Sequence, residues 1–163
     1  MSEPPRRLAR AFGDADAFEP TPGGTYRQTT TAFDAEVEAS VGADGEAHVS
    51  VTVRVPMLSE VVAGDVADVV EEGWYDTFAL RVADVGGVTA GGHDLDPTVE
   101  RAGDEAVATV SFSDIDPGRG VADAKAFVDF VEGTYVQGVI PGYEYTEPVA
   151  GLVAAGRRAA GAE

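Results

Sequence analysis

The run Phe33-Asp34-Ala35-Glu36-Val37-Glu38-Ala39-Ser40-Val41, the turn Gly42-Ala43-Asp44-Gly45 and the run Ala47-His48-Val49-Ser50-Val51-Thr52-Val53-Arg54-Val55 decide the architecture. In both runs apolar and polar residues alternate with period two, which puts the apolar side chains on one face of an extended strand. A turn bounded by glycines joins them and Pro56 stops the second run, so the segment reads as a β-hairpin. A lone hairpin with one apolar face is not stable in water and needs a second layer to cover it.

The flanking sequence supplies that layer. Leu8, Ala11 and Phe12 fall at i, i+3, i+4 before Gly13, predicting a short helix over residues 4–12. A Pro/Gly-rich connector, Pro20 to Gly24, follows, so residues 1–24 are expected as an N-terminal helix with connector and residues 25–163 as a single domain. Val62, Val66, Val69, Val70 and Trp74 sit at helical spacing with Asp65, Asp68, Glu71 and Glu72 opposite, predicting a helix that ends near Gly73. Phe78, Leu80, Val82 and Val85 then alternate as an added strand before the glycine-rich region Gly86 to Gly92. Thr98–Arg101 and Ala106–Phe112 flank Gly103-Asp104 as a second hairpin. Asp116-Pro117-Gly118 offers a cap and a first-turn proline to a helix carrying Ala124, Phe127, Val128, Val131 and Tyr135. Glu147-Pro148-Val149 to Arg158 reads as a last helix, with acid at its start and arginines at its end.

The expected fold class is therefore α+β: an antiparallel sheet of two hairpins plus an extra strand, with amphipathic helices packed on one face. Residues 33–85 and 96–145 also match each other. Val70-Glu71-Glu72-Gly73-Trp74-Tyr75 aligns with Phe130-Val131-Glu132-Gly133-Thr134-Tyr135, and Glu46–Val53 with Glu105–Phe112, at offsets of 60 and 59 residues. An internal ββα repeat and a chance alignment of two hairpin-plus-helix units in a Val/Ala/Glu-rich chain both remain open at this point.

Across 163 residues, 29 Asp and Glu stand against 11 Lys and Arg, a net charge of −18; arginine supplies all the cations except Lys125, and asparagine and cysteine are absent. Without cysteine there is neither disulfide nor thiolate chemistry. At an ionic strength of about 1 M the screening length is about 3 Å, so such a charge costs little, whereas in dilute buffer it opposes compaction. Strong salt also strengthens the burial of small apolar residues such as Ala and Val. Acid-rich, lysine-poor, Ala/Val-rich composition resembles that of a cytoplasmic protein from a salt-accumulating haloarchaeon; a GC-rich genome explains Ala, Gly and Arg but not the acids. Arg6-Arg7-Leu8 lacks the apolar stretch of an export signal, and no run approaches the roughly 20 apolar residues that span a bilayer, so a cytoplasmic location and no membrane contact are expected. Nucleic acid is excluded as a partner because the field has the wrong sign.

Few residues point to chemistry. Gly91-Gly92-His93-Asp94-Leu95-Asp96-Pro97 gathers one imidazole and two carboxylates, and His93, Asp94 and Asp96 would suit a hard or hydrolytic metal ion; an Asx turn before a proline is the other reading. His48 belongs on a strand. The carboxylate pairs Glu71-Glu72, Asp114 with Asp116, and Glu36 with Glu38 would serve acid–base catalysis only if one member were buried with a raised pKa. The serine-hydrolase elbow, the phosphate-binding loop and the dinucleotide fingerprint are all missing, and no cofactor is expected. The aromatic residues Trp74, Tyr75, Tyr135, Tyr143 and Tyr145 are candidates for a partner-binding surface, against packing between helix ends and sheet. Trp74 falls on the stripe of Val66 and Val70, which favours burial.

The paired segments ending at Tyr75 and Tyr135, with Pro141-Gly142-Tyr143-Glu144-Tyr145, resemble a family of small, acidic haloarchaeal proteins classed as a domain of unknown function. That resemblance spans nearly the whole chain and implies one domain, with no activity to carry over. More loosely, the hairpin–helix order is similar to that of secretion-chaperone-like domains that dimerise and bind proteins. The expected function is a non-enzymatic protein-binding or regulatory module that self-associates as a homodimer or takes a protein partner. The alternative is a small-molecule enzyme, metal-assisted through the His93-Asp94-Asp96 loop.

Overall fold

The computed structural model describes residues 6–84 and 95–161. Helix α1 (Arg6–Asp14) leads into a small hairpin, β1 (Phe18–Pro20) and β2 (Tyr26–Gln28), and then into β3 (Asp34–Val41) and β4 (Ala47–Pro56). A single 3-10 turn, Leu58–Glu60, precedes α2 (Asp68–Ala83); β5 (Thr98–Ala102), β6 (Glu105–Asp114), α3 (Pro117–Gln137) and α4 (Val149–Gly161) complete the order. The six strands form one antiparallel sheet in the order β1-β2-β3-β4-β6-β5. Both long hairpins turn at a glycine with positive φ, Gly45 and Gly103, a conformation that a side chain would strain.

The alternation read in the sequence is realised. Ala35 and Val37 of β3, Ala47, Val49, Val51, Val53 and Val55 of β4, and Ala106, Ala108 and Val110 of β6 are all buried on one face. Helix α3 covers the middle of that face, against β4 and β6, while α2 lies against β5 and α1 against the side of α3. Asp116 caps α3, its carboxylate accepting from the N–H groups of Gly118 and Arg119, with Pro117 in the first turn as expected. Glu147 does the same at α4 by accepting from Gly151 N–H. The opposite face is polar: Glu36, Glu38, Ser50, Thr52, Thr109 and Ser111 stand on it in cross-strand register, with Ser50 and Ser111 hydroxyls bonded at 2.8 Å.

Val51 and Val110 are direct partners across the β4–β6 ladder, and the 59-residue offset that aligns the hairpins also carries Val51 onto Val110. The connections differ, five residues between Val41 and Ala47 but two between Ala102 and Glu105, and the helices that follow lie differently, α3 across the centre and α2 at the β5 side.

Three expectations for residues 62–85 are corrected. The helix does not end at Gly73 but runs unbroken to Ala83, and the strand expected over Phe78–Val85 does not form in the part described, residues 78–84. Trp74, Phe78 and Val82 repeat every four residues and continue one buried stripe, while Leu80, which made the pattern look alternating, points outward at 73% exposure. The helix also starts later than expected, at Asp68: Val62 lies in a bridge to Tyr145 instead. Pro20 to Gly24 forms most of the β1–β2 turn, and Leu8, Phe12 and Phe18 belong to the main core, with Phe12 stacked on Tyr26 at 3.8 Å.

Candidate functional site

Helix α2 carries the aromatic candidates and brings them against α3. On its inner side Trp74 stacks on Phe78 at 5.7 Å, and both meet Tyr135 edge-on at 5.3 and 5.9 Å. Tyr135 also tilts against Phe33 at 4.9 Å, and its hydroxyl donates to the Pro56 carbonyl at 2.9 Å. Burial pushes the Tyr135 hydroxyl pKa far up, so it stays protonated and serves as a donor. Trp74 is 5% exposed and Tyr135 1%, so neither offers a contact surface; they are the aromatic centre of an Ala/Val core. Tyr75 donates to the Val99 carbonyl and ties α2 to β5. Tyr145 accepts from Ile140 N–H and donates to the Ile140 carbonyl, closing the loop after α3, and Tyr143 is half-buried nearby.

Beside Trp74, α2 and the end of α3 enclose a cleft of about 370 Å³, with Val70 and Phe78 on one wall and Thr134 and Ile140 on the other. Among the described residues the Trp74 indole N–H is buried without a hydrogen-bond partner.

The outer side of α2 is unusual. Val69 is 75% exposed and Leu80 73%, the two most exposed large aliphatics among the described residues. Eleven residues at 3.6 per turn make three turns and about 20°, so they share one face about 16 Å apart. Gly73 and Asp76 lie between them on that face, and a Cβ built on Gly73 would meet open space. Asp68 and Arg81 flank the stripe at its two ends. Periodicity hides this face, because Val69 falls in register with Val62, Val66 and Val70 and Leu80 falls in an alternating run; the i, i+11 spacing is the signal that the sequence does carry.

The acid–base candidates have structural employment. Glu71, expected on the polar side, is buried instead: it accepts from Ser59 N–H at 2.7 Å and pairs with Arg101 at 3.3 Å. Burial raises its pKa, but the bonds from Ser59 and the Arg101 charge outweigh this and hold it below the ordinary glutamate value. That is the opposite of what a general acid needs, and Glu72 beside it is exposed. Asp114 takes a forked pair of bonds from Arg119 and accepts from Asp116 N–H, while Asp116 caps α3. Glu36 and Glu38 are exposed on the open face of the sheet. His93 and Asp94 lie outside the described residues; Asp96 is exposed, and among the described residues no group of three metal-ligating side chains comes together.

One arrangement has catalytic parts. The Asp44 carboxylate lies 3.4 Å from His48 Nε2, and His48 Nδ1 is 2.6 Å from the Ser113 hydroxyl. Asp44 and His48 are 54% and 43% exposed, however, at the turn end of the β3–β4 hairpin, where water screens the pair. The contact pins β4 to β6 across a register pair.

Fold and site together define an α+β domain with an open antiparallel sheet, helices on one face, and an exposed helical stripe above an aromatic core. The chain belongs to the family of unknown function DUF5813, whose model matches residues 13–155. No curated protein and no solved structure matches it. No helix among the described residues is long and apolar enough to cross a membrane.

Proposed function

We propose that this is a non-enzymatic protein-binding module of a salt-rich cytoplasm that self-associates, and that the outer face of α2 is its contact surface. The observation that carries this reading is the pair Val69 and Leu80, both about three-quarters exposed on one helix face. If two α2 helices meet antiparallel about a dyad midway between these residues, Val69 of one copy faces Leu80 of the other, twice. The same geometry lets Asp76 lie over Gly73, where no side chain obstructs it. Such an interface is self-complementary and closes at two copies.

Burying two Val and two Leu side chains gains about 6–12 kcal/mol at about 1.5–3 kcal/mol each. Association costs about 4–15 kcal/mol in lost freedom. Gain and cost are of similar size, so the proposed dimer is concentration-dependent. The charge of −18 supports a salt-rich compartment, since two such chains approach only when their fields are screened.

Sedimentation equilibrium in molar KCl tests the reading. The native chain should show a monomer–dimer equilibrium, and Leu80→Glu should remain monomeric with an unchanged fold. A native chain that stays monomeric at millimolar concentration overturns it.

A further inference from the structure

A second surface, on the other side of α3 from α2, has a different character. Between α1 and the first half of α3 runs a groove of about 570 Å³, within the range of about 300–1,000 Å³ typical of small-molecule clefts. Its floor is apolar: Ala11 from α1, Phe18 from β1 and Val121 from α3. Phe18 and Val121 are 8% and 3% exposed, and Phe18 is fixed edge-on to Phe12 at 5.3 Å, so the floor is set before anything binds.

The rim carries charge of the unexpected sign. Arg7 and Arg10, one turn apart on α1, and Lys125 on α3 line the groove, against Asp14 and Asp116. Cations thus outnumber acids three to two here, in a chain where acids outnumber cations 29 to 11. Asp116 is occupied in capping α3, and Lys125 is bonded to Asp129 at 2.6 Å. Arg7 and Arg10 are exposed, and among the described residues neither lies within ion-pair distance of a carboxylate. The N–H groups of Gly118, Arg119 and Gly120 are already taken by Asp116, and Lys125 is tied to Asp129, so the Arg7 and Arg10 guanidinium groups are the main donors lining the groove.

We propose that the α1–α3 groove binds an organic anion with an apolar body, its head held by Arg7 and Arg10 and its chain lying over Phe18 and Val121. Guanidinium groups offer paired donors that match a carboxylate or a phosphate. The net charge does not forbid it. At about 1 M salt, charges beyond about 3 Å are screened, so an anion in the groove senses the arginines it touches and not the acids elsewhere. This site is separate from the α2 face and stands or falls without it.

Calorimetric and NMR titrations of the full chain in molar KCl, with octanoate, octyl phosphate, octanol and inorganic phosphate as probes, test the proposal. Octanoate or octyl phosphate should bind saturably and move the amide signals of Ala11, Phe18 and Val121, and the stronger of the two identifies the head group. Octanol and inorganic phosphate should each bind about tenfold more weakly or worse, because each lacks one half of the recognition. The double variant R7A/R10A changes exposed side chains only and should keep its melting temperature while losing the preference for octanoate over octanol. Ala122→Trp, at an exposed position on the groove wall, should block both amphiphiles. Equal binding of octanoate and octanol, binding that R7A/R10A leaves unchanged, signals that move on α2 instead, or no saturable binding at all overturns the proposal.

Discussion

Glu71 keeps its charge in a nearly dry position because Ser59 N–H and Arg101 hold it from two sides. Its folded pKa lies below its unfolded one, so its contribution to stability is present above the ordinary glutamate value, about 4.3, and is lost as pH falls through the lowered native value. Glu71→Gln should cost about 1–3 kcal/mol at neutral pH, because Arg101 and Ser59 lose a charged acceptor. The variant's stability should also fall less steeply than the native chain's between about pH 5 and pH 3. Chemical unfolding at a series of pH values reads both effects, and parallel acid limbs would refute the assignment. Trp74 makes the complementary case for an uncharged residue. Its emission should be blue-shifted and poorly quenched by acrylamide, and Trp74→Ala should cost about 3–5 kcal/mol. Freely quenched emission from a folded chain would contradict the burial described above.

At the level of elements, sequence patterns speak clearly only when a segment has two distinct sides. β3, β4 and β6 alternate cleanly between core and water, so both hairpins and their turns were legible, as were the cap and proline of α3. Helix α2 is nearly uniform around its circumference: Val69 and Leu80 face outward while Glu71 faces inward, and only the run Trp74–Phe78–Val82 marks its buried side. The site residues were harder still. Arg7 and Arg10 share a groove with Lys125 only because α1 packs on α3, a tertiary contact between segments more than a hundred residues apart that no local spacing encodes. Within α3, Gly133 is exposed one turn before the helix end and a Cβ there meets nothing within 4 Å. Gly133→Ala should therefore stabilise the chain by about 0.5–1 kcal/mol through helix propensity alone. An unchanged or lowered melting temperature would show that the position serves another purpose.

For the whole molecule the decisive quantity is a charge of −18 on 163 residues. Melting temperature should climb steeply from dilute to molar KCl as self-repulsion is screened and apolar burial strengthens. A flat dependence would remove the case for a salt-rich habitat. The same salt makes any open strand a hazard, and here the modest β1–β2 hairpin matters most. β1 has three residues and stops at Pro20, while β2 pairs with β3 at Tyr26–Val37 and Arg27–Glu36. Proline and brevity make this a blunt edge that a neighbouring chain cannot readily extend. A chain begun at residue 30 would lose that shield together with the α1 cover over α3, and would present the eight residues of β3 as a bare template. Such a fragment should grow cross-β fibres that bind thioflavin T in molar KCl, while the full chain at the same concentration stays clear.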